Sequence, residues 1–97
     1  MTFQVQAHYR ARAHHADEVA RLLAELAILS RAEEGNRSYE VFRSLDDPSH
    51  FVILEEYSDA AAFDVHRTSV HFAELGRAKI IPMLADRHVS EVTHAAV

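Results

Sequence analysis

The chain has no cysteine, which removes disulfides, thiolate nucleophiles and Cys-based zinc or iron–sulfur sites together. Long apolar runs are missing as well: the longest uninterrupted stretches span a few residues, far short of the ~20 a bilayer-crossing helix needs. No basic segment followed by an apolar core opens the chain, so export is not expected and a cytoplasmic location is the default. Basic residues are few, scattered and nearly all arginine, on a chain of formal charge −5. Without a basic stripe among the aromatics, nucleic acid is not an expected partner. Phosphate loops, dinucleotide fingerprints and nucleophile elbows are equally absent. No internal repeat, low-complexity segment or linker divides residues 1–97, and only the last few residues look tail-like.

What is present is ordinary globular material: 97 residues, 48% hydrophobic and 26% charged, enough for one domain with a modest core. Residues 3–10 alternate, with Phe3, Val5, Ala7 and Tyr9 on one face and Gln4, Gln6, His8 and Arg10 on the other, which predicts a half-buried strand. Ala13 to Ala16 read as a turn. Asp17-Glu18 suit the positive end of a helix, and Val19, Leu22, Leu23, Leu26 and Leu29 or Ser30 keep helical spacing until Gly35, a natural stop. Two apolar runs follow, Tyr39-Val41-Phe42 and Phe51-Val52-Ile53-Leu54. Asp46-Asp47-Pro48-Ser49 between them supply turn chemistry, so the pair predicts an antiparallel hairpin. Ser58 or Asp59 can cap a helix running to about Ile81, interrupted by the cap-like pair Thr68-Ser69. Pro82 then precedes a last strand, roughly 87–94, with Val89 and Val92 on opposite faces.

Strand, helix, strand, strand, helix, strand is the order of an α+β, ferredoxin-like βαββαβ domain: a four-stranded antiparallel sheet with its helices on one face. The third strand is apolar at four consecutive positions, and so presents apolar groups to both faces. An uncovered apolar sheet face calls for a partner. The simplest is a second copy, sheet against sheet, in a homodimer.

The stretch from Tyr39 to Phe72 also carries a family likeness. Tyr39-Glu40-Val41, Asp47-Pro48, Glu55-Glu56-Tyr57, Ala62 followed by His66, and Ser69-Val70-His71-Phe72 occur in the order and spacing of the antibiotic biosynthesis monooxygenase domain, which the chain resembles over most of its length. The main departure is Tyr57, where the family usually has an indole. The resemblance implies a dimeric α+β barrel with a pocket between sheet and helices in each subunit. It also implies a monooxygenase that needs no metal, flavin or haem: a quinol, phenol or polycyclic aromatic is deprotonated and its anion reacts directly with O₂. Haem-degrading relatives on this fold place an Asn on the first strand and a ligating His in the last helix. Here Ala7 and Gly76 stand there, against that reading. A non-catalytic small-molecule binder or stress-related dimeric barrel is the alternative from another class, since fold alone does not assign function.

Strand parity puts Phe51, Ile53, Glu55 and Tyr57 on one face, taken as the pocket side with Phe3, Val5, Ala7 and Tyr9. His66 at the helix break is the first candidate base; its structural alternative is a histidine that packs and caps the break. Glu55 is the second, because a carboxylate on an apolar face must be paired, protonated or solvated; its alternative is a structural hydrogen bond. His71 and Arg77 are candidate donors to an anionic oxygen, although His71 also suits a docking role. Tyr57, Tyr9, Phe63 and Phe72, with Tyr39, are candidate aromatic walls, or simply core. Adjacent His14-His15 point in different directions and complete no metal site with His8. Glu33-Glu34 read as solvent-facing charges.

Overall fold

The computed structural model describes residues 2–94, so the tail-like character expected of the last few residues falls outside the described part. Strands β1 (Thr2–Ala11), β2 (Asn36–Arg43), β3 (His50–Tyr57) and β4 (Leu84–His94) form one antiparallel sheet in the order β2-β3-β1-β4. Helix α1 (Ala16–Arg31) follows a 3-10 turn at Ala13–His15. Helix α2 (Ala60–Arg67) and helix α3 (Phe72–Ile80) precede a second 3-10 turn at Ile81–Met83. This is the α+β ferredoxin-like arrangement expected from the order of elements.

The alternation in β1 becomes alternating burial: Phe3, Val5, Ala7, Tyr9 and Ala11 are buried, and most residues between them are exposed. β3 behaves alike, burying Phe51, Ile53, Glu55 and Tyr57. From α1, Val19, Leu22, Leu23 and Leu26 are fully buried against this face, each worth roughly 1.5–3 kcal/mol. The hairpin closes as its turn residues predict. Ser49 N donates to Asp47 Oδ1 (3.0 Å), and Asp46 N and Asp47 N donate to Ser44 Oγ (3.2 Å each).

Boundaries differ from the sequence reading in two places. α1 ends at Arg31 and not at Gly35. Gly35 has no positive φ; a Cβ there would lie 2.4 Å from the Ala62 Cβ, so glycine is needed for the close approach of α2 and not as a left-handed cap. β4 begins at Leu84, three residues earlier than expected. The second helical region breaks at Thr68-Ser69, as its cap-like pair predicts, and α3 is wound in the π register, with Ile81 N bonding to Gly76 O. Asp59 Oδ1 caps α2 through Ala62 N (2.8 Å). Ser69 Oγ donates to His66 O (2.7 Å) and accepts from Phe72 N (3.2 Å), ending one helix and starting the next within four residues. That tight turn holds His66 and His71 side by side.

Candidate functional site

A cavity of about 220 Å³ opens between the sheet and the α2–α3 junction. Val5, Ala7 and Tyr9 of β1 form its floor with Glu55 of β3 and Tyr39 of β2, and Phe63, His66 and Phe72 wall it from the helices. β4 contributes Arg87, Val89 and Glu91, because its register sets these opposite Tyr9, Ala7 and Val5. Arg67 completes the rim; its guanidinium lies over the Phe63 ring and is paired with Asp64.

Among the candidates named from sequence, Glu55, His66, Tyr9, Tyr39, Phe63 and Phe72 line this cavity. Tyr57 and His71 do not. Tyr57 is wholly buried beside the cavity, against Phe63 and His66, where its hydroxyl donates to Glu55 Oε1 at 2.5 Å. His71 stands behind His66, bonded to Glu33. Arg77 lies outside the lining as well: it is exposed, donates to Arg67 O (3.0 Å) and lies over the Phe72 ring. The cavity's β4 arginine is Arg87, whose guanidinium sits 5.7 Å from the Tyr9 ring centre. Strand parity with Val89 was the signal that would have found Arg87 and Glu91.

Glu33 is the larger correction. It is not a solvent-facing charge: its side chain is 9% exposed, and Oε2 accepts from His66 Nδ1 (2.8 Å) and His71 Nε2 (2.5 Å). No short-range pattern marks it. The bond to Nδ1 fixes the His66 tautomer, since a carboxylate only accepts. Nε2 is then the bare nitrogen, 3.8 Å from Glu55 Oε1. The imidazole is clamped by rings, with Phe72 at 5.1 Å, Tyr39 at 5.7 Å, Tyr57 at 5.8 Å and Phe63 stacked at 6.1 Å between centroids.

Electrostatics follow from this packing. Burial pushes the Glu55 carboxyl up to about 7; Glu33 adds to the rise, while the Tyr57 hydroxyl and Arg87 oppose it. Burial lowers His66 despite the opposing pull of Glu33. Tyr57, Tyr39 and Tyr9 are all raised, chiefly by burial, so none is a ready base. The site therefore offers a neutral imidazole beside a carboxyl poised to take or give a proton near neutrality.

Residues 2–78 match the profile of the antibiotic biosynthesis monooxygenase family. The chain belongs to that family. YcnE of Bacillus subtilis (strain 168), named as a candidate monooxygenase, is 34% identical over 68 residues, covering 70% of this chain and 72% of that protein. The structure of Rv0793 from Mycobacterium tuberculosis superposes with a TM-score of 0.89 at 28% identity, covering 100% of this chain and 98% of that one. A crystal structure described as an antibiotic biosynthesis monooxygenase gives 0.89 at 30% identity, over 97% and 99% of the two chains. In the family fold as this chain builds it, the cavity sets a buried carboxyl, an imidazole and a guanidinium among apolar walls. Among the described residues, no helix is long and apolar enough to cross a membrane.

Proposed function

We propose that this family member is a cofactor-independent monooxygenase that oxidises a quinol, phenol or other aromatic small molecule with O₂. The observation that carries the reading is the Glu55 carboxyl. It is buried on the cavity floor, held by Tyr57, 3.8 Å from the bare nitrogen of His66 and raised to about 7. A group with that pKa is matched to general-base work near neutral pH. Glu55 takes the phenolic proton, and Arg87 faces the phenolate oxygen that results. His66 Nε2 accepts a proton in turn, held in its tautomer by Glu33. The phenolate passes one electron to O₂, the radical pair recombines at ring carbon, and the hydroperoxide loses water to leave a quinone. A phenol and O₂ thus yield a quinone and H₂O.

Cavity size narrows the substrate range. A cavity of about 150 Å³ holds one benzene ring, so about 220 Å³ suits one or two rings better than a large polycycle. The assembly that goes with this reading is a homodimer through the outer sheet face, where Phe42, Leu54 and Val92 are exposed.

One feature favours a second reading, a small-molecule binder without turnover. The family resemblance sets a Trp in the pocket where this chain has Tyr57, and Tyr57 is buried outside the lining. An oxygen-electrode panel of one- and two-ring quinols and phenols separates the two. Protein-dependent oxygen uptake that tracks substrate loss and survives chelators supports the enzyme. Ligand binding with no oxygen uptake across the panel establishes the binder.

A further inference from the structure

The Glu33 cluster has a feature that support of His66 leaves unexplained. Glu33 Oε2 accepts from two imidazoles at once, while Oε1 is buried with no hydrogen-bond partner. A desolvated carboxylate oxygen is costly unless something satisfies it. The three side chains come from three segments: the turn after α1, the last turn of α2 and the residue leading into α3. Their ligand-capable atoms all lie within 4.8 Å of one another. Two imidazole nitrogens and one carboxylate, with positions left over, form a donor set for a first-row divalent metal.

We propose that Glu33, His66 and His71 bind a divalent transition ion of the zinc type. Nitrogen donors set the site apart from calcium and magnesium, which take oxygen ligands. Charge favours a cation on the approach: the adjoining surface groove is lined by Glu33, Glu34 and Asp59 and by no basic residue, so its field draws positive charge inward.

Entry of the ion needs a small spreading of the cluster. Hydrogen-bonded at 2.5 and 2.8 Å, the nitrogens sit closer to Oε2 than two ligands on one tetrahedral ion, about 3.3 Å apart for bonds near 2.0–2.1 Å. His71, the most exposed of the three at 21%, has room to move. Metallation shifts protons within each ring. In His66 the proton leaves Nδ1 for Nε2, and in His71 it leaves Nε2 for Nδ1. Two neutral imidazoles, one carboxylate and a dication give a net charge of +1, with Oε1 or water filling the free positions. On the reading of Glu55 and His66 as proton acceptors, the ion inhibits: Nε2 of His66 then carries a proton and faces Glu55 as a donor.

The test uses the full chain after chelator treatment, titrated with Zn²⁺ by calorimetry and with Co²⁺ by visible absorption. One ion per chain and a saturable Co²⁺ ligand-field band are expected. His71→Ala and Glu33→Gln should each weaken Zn²⁺ by at least about 100-fold, since loss of an outer-shell partner alone costs about 10–100-fold. The double variant His14→Ala/His15→Ala, in an exposed turn, should bind as wild type. A wild-type protein with no saturable Co²⁺ band overturns the site without recourse to any variant, whatever their folding. Unchanged affinity in His71→Ala and Glu33→Gln, or loss of binding in the His14/His15 variant, overturns it as well. Binding is read without turnover, so failure on quinols and failure on metal are separate results.

Discussion

On β1 and β3, odd-numbered residues lie under the helices and even-numbered ones face away. The inner set, Phe3 to Tyr9 and Phe51 to Tyr57, is buried throughout, and it includes a carboxylate in an otherwise apolar row. The outer set mixes Gln4, Gln6 and Glu56 with the stacked pair His8 and His50, whose rings lie 5.3 Å apart. Among them stand Phe42, Leu54 and Val92, at 48%, 39% and 50% exposure. One face is finished within a single chain and concentrates its polar groups into the linked set Glu33–His66–Glu55–Tyr57. The other leaves large apolar side chains half in water. On the proposed reading, the contrast separates a face that holds chemistry from one that offers association, using alternate residues of the same strands.

The sharpest way to break this comparison is to disable the inner face alone. His66→Ala and Glu55→Gln should each lower turnover by about 10²–10⁴-fold, the usual contribution of a general base, while light scattering shows an unchanged dimer. With Glu55 as base, wild-type turnover should rise with pH through about 7, and Glu55→Gln should lose that dependence. Full turnover in His66→Ala removes the imidazole from the proton path.

Attacking the outer face should do the reverse. Leu54→Asp sets a charge among the exposed apolar groups and should convert a micromolar dimer to a folded monomer, read by light scattering with an unchanged far-UV spectrum. A wild-type protein that is monomeric at that concentration would falsify the outer face as an interface between copies.

Stability gives a smaller, pH-dependent contrast. Glu55 is raised from 4.5 to about 7 by folding, so the folded state holds this proton more tightly than the unfolded chain does. Its contribution is fully present below about 4.5 and is lost as pH rises through about 7. At pH 8 the penalty is about 3 kcal/mol, at 1.36 kcal/mol per pKa unit. Glu55→Gln should therefore be the more stable protein by up to that amount at pH 8, with the gap closing at pH 4, as urea midpoints will show. A polar substitution on the outer face, such as Gln4→Ala, should show no such crossover.

Much of the inner face was legible because its signals are local. Period-two burial in β1, the turn residues at Asp46–Ser49 and the Asp59 cap are each decided within a few residues of chain. Glu55 was legible too, as a carboxylate in an apolar row. Glu33 was not: its partners lie 33 and 38 residues away, and its local context, a Glu-Glu pair after a helix, is what solvated charges look like. Arg77 lies outside the lining, on a helix wound with i→i+5 bonding, a register that no short-range pattern in the sequence announces. Arg87 went unnoticed because β4 lacks a clean alternation, although its pairing with Tyr9 puts it over the cavity.

Tyr57→Phe is the mildest change and the finest probe of how the inner face is tuned. The phenol hydroxyl donates to Glu55 Oε1 at 2.5 Å, and the ring is wholly buried, so removing the hydroxyl takes away that hydrogen bond and almost no volume. Because that bond holds the Glu55 carboxyl down against the effect of burial, its loss should raise the carboxyl further. The rise in turnover with pH should then move to the alkaline side, with the plateau rate above it nearly unchanged. A hydrogen bond to a charged group is worth about 1.5–3 kcal/mol, so a shift of about one pH unit, equal to 1.36 kcal/mol, is the expected scale. Stability should fall by a similar amount at pH 8, where the carboxylate loses a donor, and by less at pH 5, where the group is protonated in the fold. A pH profile superimposable on wild type would mean that Tyr57 only fills space, and that Glu55 is tuned by burial, Glu33 and Arg87.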